Sequence, residues 1–161
     1  MIILGLGSNQ GDRLANIKAA IAEITEISQS LICASIYSSA ALLPENAPEG
    51  WDIGFLNTAV RIECKLSPKE LLIKIKEIEN NIGRINRGHW GPREIDIDIL
   101  AYDDLIINDD NLNIPHKEMT KRDFVMIPFA EIAPEWLHPI IGKTALELTN
   151  NIKSSLSIFL D

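Results

Sequence analysis

Cysteine is nearly absent from this chain. Cys33 and Cys64 are the only two, each within an apolar, strand-like segment, which argues against a disulfide framework or half a zinc site and leaves two thiols expected to be buried. Positive charge is also scarce. With 15 Lys and Arg against 23 Asp and Glu, and a net charge of −8, the chain lacks the cationic excess that general nucleic-acid binding requires. The histidines, His89, His116 and His138, show no metal-ligand spacing. No apolar run reaches membrane length. The opening MIILGLGSN has neither the basic leader nor the cleavage pattern of a signal peptide, so no membrane partner and a cytoplasmic location are expected. There is no Gly/Ser linker, low-complexity tract or internal repeat. What remains, 46% apolar and 24% charged residues, describes one globular domain over residues 1–161 with a real core.

The order of elements follows from periodicity. Ile2 to Leu6 reads as a buried strand running into a turn at Gly7-Ser8-Asn9. Leu14, Ile17, Ile21 and Ile24 mark a helix, with Asp12 or Asn9 available as N-cap. Leu31 to Tyr37 reads as a second strand, and Ser38 to Gly54, with its prolines and glycines, as a long loop of functional character. Phe55 to Cys64 alternates as a third strand. The clearest helix starts at Ser67, with Pro68 at its first position, Glu70 completing a capping box and Gly83 past its end. Leu71, Leu72, Ile75, Ile78 and Ile82 form its stripe, and Glu79 lies beside that stripe. A strand over 95–102, a small hairpin from 106 to 114, a helix over 124–132 despite Pro128 and a weaker one over 144–152 follow. This βα-ββ-αβ order predicts an α+β, ferredoxin-like split βαβ sandwich, an antiparallel sheet with helices on one face plus a C-terminal appendage. Ser154 to Asp161 reads as a tail or the start of a linker.

Asp96 and Asp98 interrupt that fifth segment. Two apart on a strand, they project from one face roughly 7 Å apart, while Ile95, Ile97 and Ile99 project from the other. On alternation alone they fit a solvated face, but the spacing also suits Mg²⁺, whose remaining positions would go to water and phosphate oxygens. Just upstream, NNIGRINRGHWGPR carries Arg84, Arg87 and Arg93 without a carboxylate. Acids for a metal and guanidinium groups for phosphate fit phosphoryl transfer; the alternative is that the arginines merely neutralise an acidic surface. The Gly5-Leu6-Gly7-Ser8-Asn9-Gln10 turn lacks the third glycine of a dinucleotide fingerprint and any Gly-Lys-Ser/Thr, and Asp12 would repel phosphate there. Asn57 can read a heterocycle edge or be a structural amide. Phe55, Trp90 and Phe124 can stack on a flat ring or belong to the core.

Together these segments resemble the 6-hydroxymethyl-7,8-dihydropterin pyrophosphokinase family. The resemblance is carried in order by GLGSNQGDR, FLNTAV, EIENNIGR, HWGPREIDIDIL, IPH and RDFVMIPFAEIAP. It implies transfer of pyrophosphate from ATP to the pterin hydroxymethyl group, releasing AMP. It implies also that Asp96 and Asp98 hold two Mg²⁺ ions and that Arg84 and Arg93 act catalytically on phosphate. By the same resemblance Asn57 would read the pterin edge, Phe55 and Phe124 would sandwich its ring, Ser39 and Leu42 would line the pterin side with Asp96, and Trp90 would close over it. Glu79, Arg84, Arg93, Ile99, His116 and Arg122 then fall on the ATP side. The sequence departs from the family in the Ser38–Pro44 run and the insertion to Trp51, and at Phe55, Asn86 and Lys117. Gly83 to Gly91 and Pro44 to Gly54 are expected to be mobile without ligands. A Mg²⁺-dependent phosphodiesterase or nuclease and a non-catalytic ferredoxin-like binding module remain as other readings, as does fusion to another folate-pathway enzyme.

Overall fold

The computed structural model describes residues 1–160; Asp161, the end of the stretch read as tail or linker, lies outside the described residues. Strand β1 (Ile2–Ser8) continues through Gly7 and Ser8 instead of turning there. Helix α1 (Arg13–Glu26) starts on Asp12, whose carboxylate accepts the Ala15 N–H at 3.0 Å. Asn9 is not the cap and is used elsewhere.

The second strand is broken in two, β2 (Ser30–Cys33) and β3 (Tyr37–Ser39), both antiparallel to β4 (Phe55–Glu63). The pairing Cys33 with Val60 and Tyr37 with Asn57 leaves one residue too many on the β2–β3 side, which is a bulge. The Thr58 hydroxyl lies 3.1 Å from both Ala34 O and Ser35 O and holds it. Cys33 is exposed and Cys64 half-buried, both free, against the expectation of two buried thiols. The β2 strand flanks only β4 and turns most of its residues outward.

Helix α2 (Pro68–Ile82) has the predicted capping box and ends on Gly83 in the left-handed region, φ 101°. Strand β5 (Asp96–Tyr102), the hairpin strands β6 (Ile107–Asn108) and β7 (Asn113–Ile114), helices α3 (Asp123–Ile132) and α4 (Ala145–Thr149), and β8 (Ser157–Ile158) complete the chain. The main sheet runs β5-β1-β4-β3-β8, antiparallel throughout, which is the predicted split βαβ order extended by β8.

Each face of the sheet has its own core. Ile2, Leu4 and Leu6 of β1, Leu56, Val60 and Ile62 of β4, and Ile97 and Ile99 of β5 pack under α1 and α2. Full burial of such side chains contributes about 1.5–3 kcal/mol each. Ile3, Ala59 and Ala101 face the other way, against Met126, Phe129 and Trp136. The C-terminal appendage is thus the cover of the second face, and the half of that face it leaves open holds the site.

Candidate active site

On the open half-face, register decides what meets what. Asp96 of β5 lies opposite Gly7 of β1, which lies opposite Asn57 of β4. In the next row of the same face stand Asp98, Gly5 and Ala59. Paired residues share a face, and adjacent strands are about 4.8 Å apart, so the acids and Asn57 stand two strand spacings apart with glycine between them. A Cβ on Gly7 would come within 3.1 Å of Asn57 Oδ1 and 3.5 Å of Phe55 Cδ1; one on Gly5 would meet Leu100 Cδ1 at 3.1 Å. The glycines of GLGSN are therefore the floor of the cavity, a role that a turn reading of the motif cannot give.

That cavity encloses about 290 Å³. Of the residues singled out from sequence, Ser39, Leu42, Phe55, Asn57, Trp90, Arg93, Asp96, Asp98, Arg122 and Phe124 line it. Glu79, Arg84, Ile99 and His116 are not among the lining residues. The side chain of Ile99 is 4% exposed and belongs to the core under α1 and α2. Sequence reasoning missed Asn9, His89, Leu100, Val125 and the Ala40–Ala41–Leu43 wall. For Asn9 a signal existed in hindsight, a polar residue after an apolar strand that is not needed as cap. It is 2% exposed, its N–H donates to Arg93 O at 3.2 Å, and its Oδ1 accepts the Arg93 N–H at 2.9 Å. The Asn9 amide also reaches Ile53 O at 3.4 Å, and Arg13 donates to Gly54 O at 2.8 Å, so one asparagine and one arginine tie the ends of both long loops to β1 and α1.

The charges are unequally paired. Asp96 receives Arg84 Nη1 at 2.8 Å and Arg93 Nη1 at 3.2 Å. Asp98 has no ion pair among the described residues; burial, and then the neighbouring Asp96 charge, push its carboxyl up to about 7. Arg87 takes no part: it holds Glu94 at 2.7 Å, and that hydrogen bond brings the Glu94 carboxyl down to about 2. It braces the loop from 84 to 94. His116 is pulled below its ordinary value by burial and then by Arg122, which keeps the ring neutral. On the aromatic side, Phe124 carries the Arg122 guanidinium 5.8 Å from its ring centre, and Asn57 donates to Ser39 Oγ at 2.8 Å, which fixes its amide plane. Trp90 stands at the rim, 41% exposed and at φ 68°, with His89 edge-on at 4.8 Å.

Two carboxylates on one strand face form a hard oxygen donor set, and Asp98 has no ion-pair partner among the described residues. Among the described residues no group of three or more His, Cys, Asp or Glu could hold a metal ion, so an ion on this pair takes most of its ligands from water or substrate, as Mg²⁺ does. The residues fit that group.

Residues 3–134 match the family described as 7,8-dihydro-6-hydroxymethylpterin-pyrophosphokinase. A 2-amino-4-hydroxy-6-hydroxymethyldihydropteridine pyrophosphokinase of Aquifex aeolicus is 43% identical over 146 residues, 91% of this chain and 88% of that protein. A folate synthesis bifunctional protein of Chlamydia caviae is 38% identical over 135 residues, 83% of this chain but 30% of that protein. The crystal structure of wild-type Plasmodium falciparum HPPK-DHPS superposes with a TM-score of 0.71 at 17% identity over 98% of this chain and 47% of that one. The chain thus spans less than half of that two-part protein, and at this identity the likeness is one of fold. Among the described residues no helix is long and apolar enough to cross a membrane.

Proposed function

Because the chain belongs to the 7,8-dihydro-6-hydroxymethylpterin-pyrophosphokinase family, it is an ATP-using pyrophosphokinase of folate biosynthesis that acts on hydroxymethyldihydropterin, and we propose that the cavity over Gly5 and Gly7 is where the transfer occurs. Membership replaces the phosphodiesterase and binding-module readings. The observation that carries the site is the row Asp96–Gly7–Asn57, with phosphate chemistry at one end and heterocycle recognition at the other.

In this reading Asn57, held by Ser39, reads donors and acceptors on the pterin edge. Phe55 and Phe124 cover the two faces of its ring, Leu42 borders it and Trp90 closes from the rim. Asp96 and Asp98 would hold Mg²⁺, two ions in all, which supplies charge neutralisation of the triphosphate and polarises its β-phosphorus. The pterin hydroxyl oxygen forms a bond to that phosphorus. The bond from the β-phosphorus to the oxygen bridging the α-phosphorus breaks, AMP leaves with the electron pair, and the hydroxyl proton passes to solvent. Arg84 and Arg93, both engaged with Asp96, would exchange that carboxylate for phosphate oxygens and meet the charge growing on the leaving oxygen. Arg122 and neutral His116 would serve the ATP side, with Ile99 contributing through its backbone. No side chain acts as nucleophile; catalysis rests on positioning and charge.

The same reading makes residues 1–161 one pyrophosphokinase domain, of the kind that the bifunctional relatives carry in a longer chain, and treats 83–91 and 44–54 as segments that close over substrate. The test is direct. ATP, Mg²⁺ and 6-hydroxymethyl-7,8-dihydropterin should yield AMP in step with pyrophosphorylated pterin, stopped by EDTA and restored by Mg²⁺. Formation of ADP, or no reaction, would overturn it.

A further inference from the structure

Glu79 is the most deeply buried acid of α2, with a side chain 3% exposed, yet it is not among the residues lining the site cavity. A buried carboxylate costs several kcal/mol unless its oxygens are satisfied. Here they are satisfied by the site's own framework. Oε1 accepts the backbone N–H of Ile97 at 2.9 Å and Arg84 Nη1 at 2.6 Å, and Oε2 accepts Lys76 Nζ at 3.0 Å. Ile97 is the residue between Asp96 and Asp98. Its strand, β5, is the edge of the sheet, so a main-chain N–H that points away from β1 has no further strand to bond, and Glu79 takes that strand's place. The same Arg84 nitrogen donates to Asp96 Oδ1 at 2.8 Å.

Resting on the pyrophosphokinase reading above, we infer that Glu79 is a positioning residue of the transfer, a buried strut that fixes the Asp96–Asp98 strand and the Arg84 guanidinium in one frame. The consequence is specific. A strut acts on the chemical step, because misplacing acids and arginine by a fraction of an ångström affects the transition state more than the bound pterin. A direct nucleotide contact would act instead on KM for ATP. A packing role alone would lower stability and leave the turnover of folded enzyme unchanged.

Two variants separate these. Glu79→Gln keeps an acceptor for the Ile97 N–H but loses the charge facing Arg84; Glu79→Leu removes both. The expected result, per folded enzyme, is a fall in kcat of roughly tenfold for Glu79→Gln and roughly a hundredfold for Glu79→Leu, with KM for the pterin within about twofold. Independently of activity, hydrogen exchange at the Ile97 amide should be slow in the wild type, little changed in Glu79→Gln and at least about tenfold faster in Glu79→Leu. If Glu79→Leu does not fold, Glu79→Gln decides alone. Wild-type kcat in Glu79→Gln, or a loss confined to KM for ATP, overturns the inference. A wild-type protein that makes no AMP from ATP and the pterin overturns the functional reading instead, so the two failures are distinguishable.

Discussion

At the scale of single residues, the site depends as much on missing side chains as on present ones. Gly7 leaves room for Asn57 and Phe55, so Gly7→Ala should press a methyl group against Asn57 Oδ1, 3.1 Å away, and tilt the Phe55 ring. KM for the pterin should rise roughly tenfold, equivalent to about 1.4 kcal/mol of lost recognition. The melting temperature should change little, because the strain of that contact opposes the narrowing of the unfolded ensemble by alanine. An unchanged KM would remove Gly7 from the site. The acids were legible from sequence because Asp at 96 and 98 conflicts with a strand. The glycines were not, because their role depends on which residues register places opposite them. Glu79 was visible beside a helical stripe, but its partner, the Ile97 N–H, lies 18 residues on, beyond any local pattern. Cys33 was misjudged since an apolar run does not reveal which strand will lie outermost.

At the scale of elements, α2 and β5 were readable to within a residue. One carries its own start and stop signals and the other alternates from Ile95 to Ile99, before an extra residue at Leu100 shifts its register against β1. The split of β2 from β3 was not, because the extra residue is held by a hydroxyl from Thr58, on another strand. The loop from 84 to 94 is a third kind of element, irregular but braced. Its tight point is Gly91, where a Cβ would fall 2.8 Å from Arg87 Cβ and 2.9 Å from Arg87 O. Neither backbone nor brace can yield easily, since Arg87 is pinned to Glu94 at 2.7 Å. Gly91→Ala should therefore displace Trp90 and slow turnover by about tenfold or more, with the denaturation midpoint changed far less than kcat. Stopped-flow tryptophan fluorescence on adding pterin and an ATP analogue would show it as an altered closing signal. Wild-type kcat would mean that the turn at 87–91 does not position the rim.

At the scale of the whole molecule, the sheet is stabilised from both faces, and the second core depends on the C-terminal appendage. The sequence indicated that appendage but not its destination, since nothing local says which face of a sheet a late helix will cover. Its attachment runs through Trp136, which donates to Asp103 O at 3.1 Å, and through His138, packed edge-on to Trp136 with ring centres 5.4 Å apart. His138 Nδ1 accepts the N–H groups of Ile140 and Ile141 at 3.2 and 3.3 Å, a role that needs the neutral ring. Burial holds His138 below its ordinary value of 6.5. The unfolded chain therefore takes up this proton at higher pH than the folded one, so the contribution to stability is present above about 6.5 and is lost as pH falls below it. His138→Asn keeps an acceptor without titrating. The stability gap between wild type and His138→Asn, from urea melts, should shrink from pH 7.5 to pH 5; a pH-independent gap would show that folding leaves the proton affinity of the ring unchanged. Finally, β5 is a single ribbon serving two masters, with Ile97 and Ile99 locked in one core and Asp96 and Asp98 facing the cavity. Sliding it by one residue would bring isoleucine into the site and aspartate into the core. A one-residue insertion or deletion between Asp96 and Ile99 should therefore abolish activity and disrupt the core together, whereas a length change in the loops that frame the cavity should leave the sheet intact.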